Sequence, residues 1–119
     1  MELKFVAVAR PEKTDATTQR RQKLAGRIDQ QIGFVRQMIE GKRPRAAWVW
    51  MDGEGTYFLP IFYGRHQVEL QKGKFAIECA DLDHVENALC TIRAMVLQGH
   101  FDAQLAKVSA DIRGRFGKD

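Results

Sequence analysis

An α+β fold, a four- or five-stranded antiparallel sheet with a long N-terminal helix and two C-terminal helices, is predicted by two patterns in the sequence. Apolar residues recur at helical spacing in three stretches near the ends, and between them, from Arg43 to Ala80, short aromatic runs alternate with basic, glycine-containing turns. With 119 residues, 45% hydrophobic and 29% charged, the chain is expected to form a single domain, residues 1–119, around one core.

Leu3 to Ala9 is a candidate first strand, and Arg10 to Asp15, with Pro11 and Thr14, is a polar breaker. Thr14 or Asp15 then caps a helix whose stripe is Leu24, Ile28, Ile32, Val35 and Ile39, with Gly41 at its end and Pro44 just beyond. Gly26 and Gly33 lie inside this helix and each costs about 1 kcal/mol relative to alanine, so the helix relies on packing. Ala46–Met51, Thr56–Tyr63, His66–Leu70 and Phe75–Ala80 read as strands whose short connections allow only antiparallel neighbours. Asp81 or Asp83 starts the second helix, with Asp83 and Glu86 at capping-box spacing, a stripe of Val85, Leu89, Ile92 and Val96, and Gly99 as its stop. Phe101, Leu105, Val108, Ile112 and Phe116 mark a third helix, whose Arg113, Arg115 and Lys118 suit a helix C-terminus.

The register of the first hairpin decides what its faces present, because a slip of one residue transposes them. A three-residue loop, Gly53-Glu54-Gly55 with Gly55 left-handed, pairs Trp50 with Phe58 and Trp48 with Pro60. Trp48, Trp50, Phe58 and Phe62 then share one face, and Val49, Met51, Tyr57, Leu59 and Ile61 the other. A two-residue turn mixes the sets. The three-residue loop is favoured because it needs only Gly55 at positive φ and separates an aliphatic from an aromatic face. Pro60 lacks an amide donor, which places its strand at an edge or at a bulge.

An aromatic face flanked by Arg43, Arg45, Arg65, Lys72 and Lys74 suits single-stranded DNA or RNA, with bases stacking on the rings and phosphates following the basic turns. Core or interface packing is the competing use of such rings. On the first helix, Arg20, Lys23 and Arg27 share one face with Arg21 beside them, and either contact phosphate or remain solvated. The formal charge of +4 permits a polyanionic partner and also serves solubility.

No enzyme, metal or cofactor signature stands out. The only serine, Ser109, lacks the setting of a strained nucleophile, and His66, His84 and His100 fall in three different elements. Asp52 and Glu54 read as a polar turn, since the other ligands of a calcium loop are missing. The glycines match no phosphate-binding loop. Cys79 and Cys90 read as two buried free thiols. Apolar runs fall far short of the roughly 20 residues that span a bilayer, and the first residues lack a signal-peptide pattern, so a cytoplasmic protein without membrane contact is expected.

Arg20-Arg21-Gln22-Lys23-Leu24 with Asp29-Gln30-Gln31, then Tyr63-Gly64-Arg65, Glu69-Leu70-Gln71-Lys72-Gly73-Lys74, Ile77-Glu78-Cys79-Ala80 and Phe101-Asp102-Ala103-Gln104-Leu105, resemble an uncharacterised family of small proteobacterial and phage-borne proteins. That resemblance runs from about Arg20 to Phe116 and implies a phage or mobile-element setting without an assigned activity. The order of four strands then a helix is more faintly similar to the single-stranded-DNA-binding sheets of the transcriptional positive-cofactor and Pur-alpha types, which dimerise and bind on a sheet face. The leading basic helix and the third helix depart from the cofactor pattern. A non-catalytic nucleic-acid-binding homodimer is the leading expectation; a phage or host regulatory factor that contacts a host protein through the same aromatic face is the alternative.

Overall fold

A computed structural model of the chain describes residues 2–7 and 15–116, with side chains up to residue 111. The predicted breaker at 10–14, the end of the predicted first strand at Val8 and Ala9 and Lys118 lie outside the described residues, as do the side chains of Ile112, Arg113, Arg115 and Phe116.

Three helices pack against one side of small antiparallel sheets. Helix α1 spans Ala16–Ile39, and Asp15 caps it, its carboxylate accepting from the Thr18 amide at 2.7 Å. Its buried stripe is Leu24, Ile28, Gln31 and Val35, while the expected member Ile39 is exposed and Ile32 only half-buried. The helix closes with paired backbone bonds, Gly41 N–H to Met38 C=O and Lys42 N–H to Gln37 C=O. At Gly26 a Cβ would meet nothing within 4 Å, so Gly26→Ala is expected to raise stability by about 0.5–1 kcal/mol, read as a higher urea midpoint at unchanged slope.

Helix α2, Leu82–Leu97, buries Val85, Leu89, Ile92 and Val96 as their spacing predicts. Its box is not Asp83 with Glu86. Asp81 accepts from the His84 amide at 2.8 Å, and His84 Nδ1 accepts from the Ala80 amide at 3.2 Å, which satisfies donors on both sides of the cap. Glu86 instead meets Arg36 at 2.7 Å, and Arg93 meets Asp29 at 2.7 Å, so α1 and α2 lie antiparallel. Helix α3, Asp102–Phe116, contributes buried Leu105, with Phe101 buried just before its first turn.

The α2–α3 junction turns on Gly99. At φ +90° it lets Gly99 N–H reach Val96 C=O and His100 N–H reach Met95 C=O, ending α2. A Cβ there would sit 2.7 Å from a guanidinium nitrogen of Arg21, which forms a two-pronged ion pair with Asp102 and joins α1 to α3. Arg21 holds the Asp102 carboxyl below its ordinary range through that hydrogen bond.

The strands are shorter than predicted. β1 is Trp50–Met51, β2 Tyr57–Pro60, β3 Phe62–Tyr63, β4 His66–Gln67 and β5 Ala76–Cys79. They form a three-stranded sheet, order β1-β2-β5, and a separate β3-β4 hairpin, in place of one four- or five-stranded sheet. The predicted 56–63 strand breaks at Ile61, whose carbonyl accepts from Val68 N–H at 2.7 Å across the second hairpin. Residues 2–7 form no strand, and Leu3, Phe5 and Val6 are exposed: a strand-like run makes a strand only where a ladder partner exists. Val49, Leu59, Ile61, Tyr63, Val68 and Cys79 join the helix stripes in one core. Among the described residues no helix is long and apolar enough to cross a membrane.

Candidate nucleic-acid interface

The first hairpin has the three-residue loop. Gly55 takes φ +86°, and Trp50 pairs with Phe58 and Met51 with Tyr57. Asp52 builds the turn, its carboxylate accepting from the amides of Glu54 and Thr56, each at 2.9 Å, which is the polar-turn role expected of it. Because Val49, Leu59 and Cys79 face the helices, alternation sends Trp50, Phe58 and Glu78 to the opposite side, which no described helix covers. There the Trp50 and Phe58 rings stack, centroids 4.7 Å apart and planes 27° from parallel, and Trp50 keeps 53% of its surface in solvent. Glu78, exposed opposite Phe58, adds a carboxylate to this row. Met51, expected on the core face, overhangs the edge and is exposed.

Trp48 and Phe62 do not extend this platform. Trp48 packs against the core, half-buried, and its ring lies 5.8 Å from that of Phe62 at 60°. Instead of pairing with Pro60, its amide donates to Gln31 Oε1 at 2.8 Å, while Gln31 Nε2 donates to the Ala46 carbonyl at 3.0 Å. Asp52 N–H bonds the Thr56 carbonyl, so by alternation Trp48 and Pro60 would be a hydrogen-bonded pair, and Pro60 has no N–H to give. The ladder stops there, and a helix side chain takes over the freed strand. The result is a cleft of about 250 Å³ lined by Arg27, Gln30, Gln31, Trp48, Phe62 and Gly64. The single four-ring face predicted from the register is therefore two ring pairs: one open, one set into a cleft beneath α1.

The expected cations divide similarly. Arg43 and Arg45 are exposed on the stretch leading to β1, Arg65 on the β3–β4 turn, and Lys72 and Lys74 on the turn before β5. Among the described residues none of these five forms an ion pair, whereas Arg21, Arg36 and Arg93 are used between helices. Arg20, Lys23 and Arg27 run along α1. Arg27 borders the Trp48–Phe62 cleft, while Arg20 and Lys23 border another beside Tyr63, over whose ring the Lys23 ammonium sits 5.6 Å from the centroid. Sequence reasoning missed Gln31, although its position three residues after Ile28 and four before Val35 places it on the buried stripe.

The remaining reactive side chains stay apart. His84 serves the α2 cap, His100 sits in the α2–α3 turn, and His66 lines a surface cleft with Glu69, Gln104, Lys107 and Asp111. Among the described residues no cluster of His, Cys, Asp and Glu could hold a metal ion. The two cysteines differ: Cys79 is buried as expected, but Cys90 is exposed, since it follows Leu89 out of the buried stripe. Burial also pushes the Cys79 thiol pKa up. A thiol reagent is expected to modify Cys90 rapidly in the native protein and Cys79 only at the rate of unfolding, measured by mass spectrometry against time.

Compared with known proteins, the chain matches no family model, no curated protein and no solved structure.

Proposed function

We propose that the protein binds single-stranded nucleic acid without catalysis. The observation that carries the reading is the Trp50–Phe58 stack, in which Trp50 keeps about half of its surface in solvent on the side of the sheet that no described helix covers. An unstacked base adds to such a pair at roughly 1–3 kcal/mol, and a paired base in a duplex has no free face to offer. The Trp48–Phe62 cleft supplies a second aromatic contact, with the Arg27 guanidinium and the Gln30 amide at its rim. Arg43, Arg45, Arg65, Lys72 and Lys74 supply unpaired positive charge for phosphates, while Glu78 keeps the backbone off the centre of the row. A phage or mobile-element setting, which the sequence resemblance implies, and a homodimer belong to the same proposal.

A fluorescence-polarisation titration of labelled single-stranded and duplex oligonucleotides at two salt concentrations tests it. Tighter binding of the single strand is expected, with affinity falling as salt rises and the log–log slope shrinking by about 0.7 for each phosphate-contacting lysine replaced, for example Lys72→Ala. Absence of binding at low salt ends the reading. It would favour an interface with another protein or a second copy, for which the exposed Trp50 and Met51 on the β1 edge strand are the supporting observation.

A further inference from the structure

A second cleft, of about 230 Å³, opens between the first turns of α1, strand β3 and helix α3, and its lining includes Arg20, Lys23, Tyr63 and Ser109. Tyr63 is only 6% exposed, so its ring is fixed by the core while its hydroxyl reaches the cleft. That hydroxyl has Ser109 Oγ at 3.4 Å, long beside the roughly 2.7–2.8 Å of a typical O–H to O bond, and both groups keep donor capacity for a closer acceptor. Lys23, laid over the Tyr63 ring, holds its ammonium at this site, and Arg20 stands one turn earlier on the same helix face.

The nearby carboxylates are engaged elsewhere. Asp102 is gripped by Arg21, and Asp15 accepts the Thr18 amide. Two cations and two hydroxyls thus converge on one small space, and among the described residues no carboxylate lines it. That donor set matches a compact anion with several acceptor oxygens, which can take a charge-assisted bond from each cation and a hydroxyl bond from each of the others.

We propose that this cleft binds a phosphate-type oxyanion through Arg20, Lys23, Tyr63 and Ser109. Inorganic phosphate and the terminal phosphate of a single strand share this chemistry. Neither Trp50 nor Phe58 is among the residues lining this cleft, so the site can fail or hold independently of the nucleic-acid reading.

The test compares thermal unfolding in sodium phosphate with sodium chloride at matched ionic strength, and polarisation titrations of 5′-phosphorylated with 5′-hydroxyl oligonucleotides. Phosphate is expected to raise Tm by several degrees at saturation. The gain should vanish in Arg20→Gln/Lys23→Gln, shrink in Ser109→Ala and persist in Trp50→Ala. Preference for the 5′-phosphorylated strand that depends on Arg20 and Lys23 would support the site and assign it to a strand terminus. Phosphate no better than chloride together with no 5′-phosphate preference overturns the proposal, as does a gain that survives loss of both cations. The glutamine variants keep helix propensity and alter exposed or half-buried side chains, and their Tm in chloride reports whether the fold is intact.

Discussion

Replacing Trp50 by alanine is expected to weaken single-stranded oligonucleotide binding by about 1–3 kcal/mol, roughly 5- to 150-fold in Kd, while leaving the fold in place. The ring contributes a stacking contact to Phe58, worth about 0.5–1.5 kcal/mol, and over half of its surface is already in water. The stability loss should therefore stay under about 2 kcal/mol. Trp48→Ala makes the useful contrast in stability, because that ring, besides lining the second aromatic contact, packs against the core and its removal leaves a void that costs stability directly. Kd from polarisation and the urea midpoint, measured on both variants, separate the two roles. If Trp50→Ala leaves Kd unchanged while lowering the midpoint as far as Trp48→Ala does, the Trp50 ring is packing and the platform is not a binding surface.

Gln31→Leu is expected to cost about 1–3 kcal/mol, since it deletes two hydrogen bonds worth roughly 0.5–1.5 kcal/mol each and frees the Trp48 amide and the Ala46 carbonyl. The larger consequence is positional. The 46–49 stretch has no ladder partner opposite Pro60, so the Gln31 amide is what ties it to α1. In a Trp50→Phe background Trp48 is the sole indole, and adding Gln31→Leu should shift its emission to the red and open it to acrylamide. An unchanged spectrum with unchanged stability would mean that contacts of the ring with the core hold the segment without the glutamine.

What the sequence revealed depended on how local the cause was. Val85, Leu89, Ile92 and Val96 could be placed because one helix face repeats along the chain, and the Trp50–Phe58 register could be placed because Gly55 admits a left-handed turn. The break at Ile61 and the loss of pairing at 46–49 were not legible. They arise from competition between partners distant in sequence: Val68 claims the Ile61 carbonyl, and Gln31 claims the Trp48 amide. Pro60 announced that the ladder would be interrupted, but not which group would replace the missing donor. Likewise Asp83 and Glu86 satisfy the spacing of a capping box, yet Asp81 and His84 take that role: the helix begins at Leu82, so Asp83 lies inside its first turn, and Glu86 pairs with Arg36 on α1. A strand-like run does not by itself supply a neighbour: Leu3, Phe5 and Val6 read as part of a candidate strand, yet residues 2–7 form none. Of the candidate site, the open ring pair was readable from register, whereas the two clefts needed α1 to be set against β3.

Gly99 links two joints through one missing methyl group. Its backbone bend rejects ordinary side chains, and the same spot is occupied by the tip of Arg21. A larger residue there would strain the corner after α2 and displace the tips of the Arg21–Asp102 clasp between α1 and α3, so a change at this hinge should be felt at the wall that carries Arg20 and Lys23.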